Sequence, residues 1–537
     1  MKASTSRRGV LAAGGAAALL AGGGCTGGRA IPGELSGPDI ARGHALRDRK
    51  LPAPTGPVRE AGVVIAGGGI AGLAAGWTLA EAGFTDFELL ELEDSVGGNA
   101  RSGRNAISAY PLGAHYLPVP NREARALRHM LTRFGIVTGE DAGAPVYDPY
   151  ELCADLEERL FWRGAWQEGL FPQTGLSDAD AAEHAAFQAA MQAFSAAIGN
   201  DGKPAFAIPS AYSSGDPRFT GLDSMSFAAW LDRQGWRSAP LRAYVRYCCR
   251  DDYGAEPADV SAWAGIHYFA GRRGWASGGD GNRELTWPEG NARLAGLMAQ
   301  PIRQRIRPAH SVIGVARDGD GVLIDCHDHK SGRSERIRAR AAIMAMPHFV
   351  ATRLLPKESD ARGFSYAPWV VANVSVSRHP AGPGVPLAWD NVSTASESLG
   401  YVVATHQSSG AAGGPTVLTW YMPLSSHAPD VERKALLARP LGEWQRMVRD
   451  DLMRLHPELD GAITRIDVWR WGHAMVRPTP GFLTEPGRIA AKTPAPPIFR
   501  AHSDLSGLSL FEEAHYHGVA AAEAAMIHLG HAHESLL

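Results

Sequence analysis

The sequence predicts an α/β fold in which one domain, built on a largely parallel sheet, is interrupted by a second, α+β domain. Three observations predict it. The run "AGVVIAGGGIAGLAAGWTLAEAGFTDFELLELE" from Ala61 orders a strand, a glycine turn, a helix and a second strand. Far downstream, "RARAAIMAMP" supplies another short apolar strand that ends at a proline. Between and beyond these lie stretches of helical spacing and separate β-like runs that belong to neither pattern.

In chain order, the first residues, "MKASTSRRGVLAAGGAAALLAGGGC", join a basic start to a short apolar run, the pattern of an export signal. The run is too short and glycine-rich for a membrane span. Arg7-Arg8 followed by Gly9-Val10-Leu11 resembles a twin-arginine signal, with Val10 where phenylalanine is usual. Residues 1–30 are therefore expected to direct export, to the periplasm or to a membrane-anchored form. Cys25 resembles the lipidated cysteine of bacterial lipoproteins, with Gly22 where leucine is usual; cleavage after Ala30 is the alternative. Residues 31–60, rich in Gly, Pro and charge, read as a linker and ordered lead-in.

The 537 residues leave ample interior for a cofactor, and a formal net charge of -3 gives no reason to expect nucleic acid. The partners expected instead are a small-molecule substrate and an electron acceptor. Cys153, Cys248, Cys249 and Cys326 show no paired metal-ligand spacing and read as buried thiols, so no metal is expected.

In the glycine turn, Gly67 permits the sharp bend, Gly69 lets backbone approach a pyrophosphate, and Gly72 lets the helix lie against the strand. Glu91, at the end of the second strand, is placed to accept both hydroxyls of an adenosine ribose; Glu93 competes for that role. NAD and FAD both use this Rossmann-like fingerprint, and its neighbours favour FAD.

The segment "ELEDSVGGNARS" resembles the second signature of the flavin-dependent amine oxidase, protoporphyrinogen oxidase and phytoene desaturase superfamily, with Gly97-Gly98 followed by Asn99 where arginine is usual. Arg101 is the replacement positive charge. "LTWPEGNARLAGLM", "IRPAHSVIGVARDGDGVLIDCHD", "RARAAIMAMP" and "IFRAHSDLSGLSLFEEAHYHGVAAAEAAM" resemble its later motifs in order. The resemblance implies that Val312 offers its backbone to the adenine and that Asp504 contacts the flavin ribityl and pyrophosphate. It also implies a Rossmann-like FAD-binding domain (GR2 type) from 61–120, 280–350 and 485–537, with an inserted α+β substrate domain from 121–279 and 351–484. A sheet floor with helical walls is the expected form of the insertion.

For catalysis the resemblance points to His115 beside the cavity, Trp471 as an aromatic wall, and Tyr516 with His517 as a second wall. His115 also reads as a packed histidine, and each aromatic as core. Lys357 and Arg353 lie near the place of a family lysine without being in register, and Trp389, Asp390 and Tyr401 are further wall candidates without a mechanism. The expected activity is FAD-dependent oxidation of an amine. The alternatives are desaturation or dehydrogenation of an apolar ring or polyene, and a flavin-bound assembly or binding protein without turnover. A cavity lined with carboxylates favours amines; an all-apolar one favours desaturation.

Overall fold

Strand Val58–Ala66 lacks polar alternation in its second half, and Val63, Val64 and Ile65 have no solvent exposure in the computed structural model, which describes residues 31–356, 362–408 and 413–537. A continuous apolar run is what a strand covered on both faces requires. It runs inside a seven-stranded sheet ordered Ile306–Arg307, Phe87–Leu90, Val58–Ala66, Arg333–Met344, Gly321–Asp328, His310–Asp318, with Ile498–Arg500 also pairing to Arg333–Met344. The first four strands are parallel, and Ala341 to Met344 of "RARAAIMAMP" sit opposite Val63 to Ala66. The strands His310–Asp318, Gly321–Asp328 and Arg333–Met344 return as an antiparallel meander.

Helix Ile70–Glu81 buries every residue from Ala71 to Leu79. Its alanines and glycines let another backbone come close. The closing helix, Phe511–His528, does so at Gly518, where an added Cβ would lie 2.3 Å from the Ala71 carbonyl oxygen.

A second sheet has eight strands, ordered Leu35–Ser36, Ile463–Val476, Tyr366–Val376, Thr416–Pro423, Tyr401–Val403, Asp390–Ser393, Glu158–Trp162, Ala165–Glu168. One face packs Val370, Ala372 and Val374 against Trp444, Val448 and Leu452 of helix Leu441–Leu455. The other face carries Trp369, Val371, Tyr421 and Trp471, with Trp369 opposite Trp471 and Val371 opposite Tyr421. The stretches "REARALRHMLTRFGIV", "DAAEHAAFQAAMQAFSAAIG" and "SFAAWLDRQGW", which carry apolar residues at helical spacing, form helices Arg125–Arg133, Asp178–Ala196 and Phe227–Arg233.

Helices Ala239–Tyr253 and Ala262–Ala270 are additional to those read from periodicity. In the first, "YVRYCCRDDY" mixes buried cysteines with a buried or cavity-facing acidic pair, which hides the two-faced pattern of a surface helix. The lead-in is docked on both sheets: Leu35–Ser36 pairs in parallel with Val468 and Trp469, and the Asp39 N–H donates to Glu93. The four cysteines among the described residues are free and buried. No described helix is long and apolar enough to cross a membrane.

The close helix crossing gives a stability test. Gly518→Val is expected to destabilise the protein by about 1–3 kcal/mol through forced separation of the helices. Gly296, exposed in helix Ala292–Ile302 with nothing near its missing Cβ, is the control: Gly296→Ala should stabilise by about 0.5–1 kcal/mol. Denaturant unfolding of the two variants against the parent measures both.

Candidate functional site

The glycine turn is a cradle that side chains would fill. Gly67 has φ +110°, and a Cβ at Gly72 would fall 1.9 Å from the Gly67 carbonyl oxygen. Gly69 faces the second glycine pair, since a Cβ on Gly98 would lie 3.1 Å from the Gly69 Cα. The Gly97 N–H donates to the Gly68 carbonyl at 2.8 Å, tying the two glycine segments together. The result is a trough walled by backbone at the start of a helix, where free N–H groups and the helix dipole favour a phosphate.

Glu91 closes this trough. Its carboxylate accepts the Gly68 N–H at 2.6 Å and the Glu93 N–H at 2.8 Å, while burial raises its pKa against those two bonds. Glu93 is engaged elsewhere, in an ion pair with Arg101 at 3.0 Å. Arg101 thus has its charge matched within the protein, and its guanidinium also lies over the rings of Trp469 and Trp471. Asn99 donates to the Ala474 carbonyl at 2.6 Å and borders the central cavity described below.

Asp504 is buried beside this region. Its Oδ2 accepts the Tyr366 hydroxyl at 2.6 Å and the His348 N–H at 2.8 Å. Burial alone would raise its carboxyl, but His502 with these two donors outweighs burial and holds it below its ordinary value. Val312 sits at a bulge in His310–Asp318: it pairs with Cys326, and regular pairing resumes at Gly314. The meander is fixed to the glycine trough because the His310 N–H donates to the Glu91 carbonyl at 2.7 Å.

Against one face of the eight-stranded sheet lies a cavity of about 150 Å³. Trp369, Val371, Tyr421 and Trp471 form its floor, and the segment Gly113 to Tyr116 and the start of helix Phe511–His528 close one side. Trp471 is fixed by donating Nε1 to the Leu112 carbonyl at 2.6 Å. Among the lining residues, Asn291 has its Oδ1 buried without a hydrogen-bond partner. Unpaired buried groups of this kind mark a place that a guest completes.

His115 borders this cavity, with its ring 5.0 Å from Tyr421 and 5.7 Å from Trp389. Nδ1 lies 3.0 Å from the Gly113 carbonyl, which can only accept, so Nδ1 carries the proton and Nε2 the lone pair. Burial lowers its pKa to about 4. Tyr516 and His517 do not border the cavity. The helix begins at Phe511, so it is Phe511 and Glu512 that line it. Tyr516 lies more than one turn further along and packs against Tyr212, while His517 bonds Ser506 Oγ at 2.7 Å. Tyr401 is also core, bonded to His456 at 2.6 Å. Arg353 is exposed, and Lys357, like Cys25, falls outside the described residues.

The charge of the cavity comes from residues that sequence reasoning missed. Asp251, Asp252 and Glu512 line it, and Arg272 is the cation among its lining residues. Arg272 is held by Asp252 through two bonds of 2.7 and 2.9 Å. Burial raises the Glu512 carboxyl to about 7. Burial, then the charge of Asp252, also raises Asp251. Among the described residues, no three His, Cys, Asp or Glu are arranged to hold a metal ion. A signal for Asp251 and Asp252 was present: an acidic pair in the last turn of helix Ala239–Tyr253 opposes the helix dipole, a local conflict that marks functional positions.

Comparison with known proteins finds the same fold in solved structures. A putrescine oxidase triple mutant made in a redesign of cofactor binding has 17% identity and a TM-score of 0.65, covering 88% of this chain and 100% of that one. Cyclohexylamine oxidase from Brevibacterium oxydans has 17% identity and a TM-score of 0.61, covering 88% and 99%. A fatty acid isomerase from P. acnes has 16% identity and a TM-score of 0.58, covering 87% and 98%. At these identities the likeness is one of fold. No curated protein matches the sequence. Residues 70–526 match the family model described as flavin containing amine oxidoreductase, so the chain belongs to that family and is an FAD-dependent oxidoreductase.

Proposed function

We propose that this oxidoreductase acts on an amine, and the observation that carries the reading is the carboxylate-lined, aromatic-floored cavity. A polyene or apolar ring would leave Asp251 and Glu512 facing hydrocarbon, at a cost of several kcal/mol for each that stayed charged. An ammonium group matches both the carboxylates and the faces of Trp369, Tyr421 and Trp471.

FAD would lie with its pyrophosphate along Gly67, Gly69 and Gly72, its adenosine toward Glu91 and Val312, and its ribityl chain toward Asp504. Gly97 and Gly98 provide the facing backbone, and Asn291, with Oδ1 unpaired, borders the cavity beyond. When bound, FAD supplies the acceptor for a hydride equivalent from the amine's α-carbon. The substrate loses one N–H proton to water and one C–H hydride and becomes an imine, which water hydrolyses to a carbonyl compound with release of ammonia or an amine. Reoxidation of the flavin falls to oxygen or an electron carrier.

In this reading the protein's own groups hold and orient. The carboxylates bind the ammonium form, and the aromatic floor excludes water from the reacting carbon. Neutral His115, with Nε2 as acceptor, takes a hydrogen bond from the substrate nitrogen. Asn99, bonded to strand Ile463–Val476, and Arg101, paired to Glu93, keep the second glycine pair against the glycine turn. The basic and apolar start at 1–30 supports export by the twin-arginine route, which carries folded proteins with their cofactors.

Two outcomes are expected. Anaerobic addition of a substrate amine to the flavin-bound protein should bleach the oxidised-flavin absorbance, and full retention of that band with every amine of a broad panel would sink the reading. The acidic limb of kcat/KM should rise with pH through about 7, because Glu512, whose carboxyl is raised to about 7, is neutral below that pH and charged above it. Asp251, raised to about 7 in the same cavity, shapes the same limb, so Glu512→Gln should make it shallower and Glu512→Gln with Asp251→Asn should flatten it, as pH profiles of the variants measure.

A further inference from the structure

A second cavity, of about 340 Å³, shares no lining residue with the first. It opens between helices His348–Leu354 and Pro429–Ala438, at the start of strand Tyr366–Val376. Along that strand Ala367, Trp369 and Val371 belong to the face that floors the first cavity. Val370 and Ala372 belong to the opposite face, and Leu436 of helix Pro429–Ala438 packs there. The helix that walls the second cavity thus lies across the sheet from Asp251 and Glu512, and the glycine trough contributes nothing to its lining.

The chemistry of this cavity is that of an uncompensated cation among flat rings. Arg433 donates Nε to the Gly472 carbonyl at 2.7 Å and Nη2 to the Tyr366 carbonyl at 3.3 Å. Carbonyl oxygens fix a guanidinium without cancelling its charge, and its other N–H donors remain. The described residues give Arg433 no ion pair, because Asp430, on the rim, is paired with Lys434 at 3.6 Å. Burial lowers the pKa of Arg433 more than the charge of Asp430 raises it, as befits a guanidinium short of both water and a counter-ion. His473 adds no charge at neutral pH, since burial, then Arg433 and Arg353, bring it to about 4.

The flat rings come from three elements. Phe349 stacks on His473 with ring centres 4.4 Å apart, and Phe364 stacks on His348 at 4.1 Å. Tyr366 stands edge-on to Phe349 at 5.1 Å. A guest ring can extend either stack, and one carboxylate matches one guanidinium in charge and in its two-pronged shape. A phosphate dianion would keep part of its charge uncompensated next to Asp430.

We propose that this second cavity is a binding site for an aromatic carboxylate, held by Arg433 and stacked among Phe349, Phe364 and Tyr366. The assignment stands apart from what the first cavity oxidises. Such a guest rests on Tyr366, whose hydroxyl donates to Asp504 at 2.6 Å, so the site backs on to the residue expected to hold the flavin ribityl chain.

The test is calorimetric titration of the flavin-bound protein with benzoate, benzamide, cyclohexanecarboxylate and acetate. Benzoate should bind roughly 10-fold or more tightly than neutral benzamide, the scale of hydrogen bonds to a charged group. It should bind about 5-fold more tightly than cyclohexanecarboxylate, the scale of an aromatic pair, and acetate should be weaker than both. Arg433→Gln, which keeps a donor for the backbone carbonyls, should abolish the preference over benzamide. Phe349→Leu leaves the guanidinium in place and should abolish the preference for the planar ring alone. Flavin absorbance and turnover without benzoate report that each variant is folded. An unchanged preference over benzamide in Arg433→Gln would put the carboxylate at another cation, such as Arg272 of the first cavity, and overturn the site. Absence of benzoate binding, equal affinity for benzoate and either benzamide or acetate in the parent, or an unchanged ring preference in Phe349→Leu would overturn it as well.

Discussion

The molecule depends on backbone touching backbone at two glycines. At Gly72 the helix presses on the carbonyl of Gly67, and at Gly518 the closing helix presses on the carbonyl of Ala71. Because both contacts involve the first turns of helix Ile70–Glu81, the turn, this helix and the C-terminal helix form one rigid corner. The corner fixes where helix Phe511–His528 begins, and so which of its residues reach the cavity. A side chain at either glycine would move that starting point away from Asn99, Gly113 and Asn291 on the opposite side.

The electrostatics work against this rigidity. Glu158 and Glu512 have carboxyls raised to about 7 because burial disfavours their charge. A group whose folded pKa is raised stabilises the protein below its unfolded value, near 4, and that contribution is lost as pH rises through about 7. At neutral pH the charge on Glu512, which lines the cavity, therefore costs stability, and a cationic guest offsets that cost. The same burial that destabilises the free protein strengthens the attraction for an ammonium ion, because little water screens it. Stability is given up where binding gains.

Much of the flavin-binding region was legible in the sequence because its requirements are local. A tight turn, a close helix and a strand-end carboxylate are each dictated within a few residues, so Gly67, Gly69, Gly72 and Glu91 come together as their spacing suggests. The core strands of both sheets were legible for the same reason, as runs of apolar residues. The cavity was not. Asp251 meets Tyr116 across 135 positions and Asp390 meets Tyr247 across 143, distances over which no periodicity speaks. Trp471 was found because a motif placed it, and Asp390 was noted without a role. Tyr516 was misplaced because the start of its helix, set at Phe511 by tertiary contact, decides which turn faces the cavity.

The docked lead-in has a consequence for solubility. Residues 32–36 lie along strand Ile463–Val476, giving its N–H groups at Ile466 and Val468 to the carbonyls of Pro32 and Glu34. Without that cover, a long strand would present an open row of donors and acceptors, the template by which sheets recruit further chains. These few residues act as a selvedge, the finished border that keeps a woven edge from catching. The same strand carries Trp471 into the cavity. Protection of an outer edge and integrity of an inner chamber are thus entrusted to one length of chain.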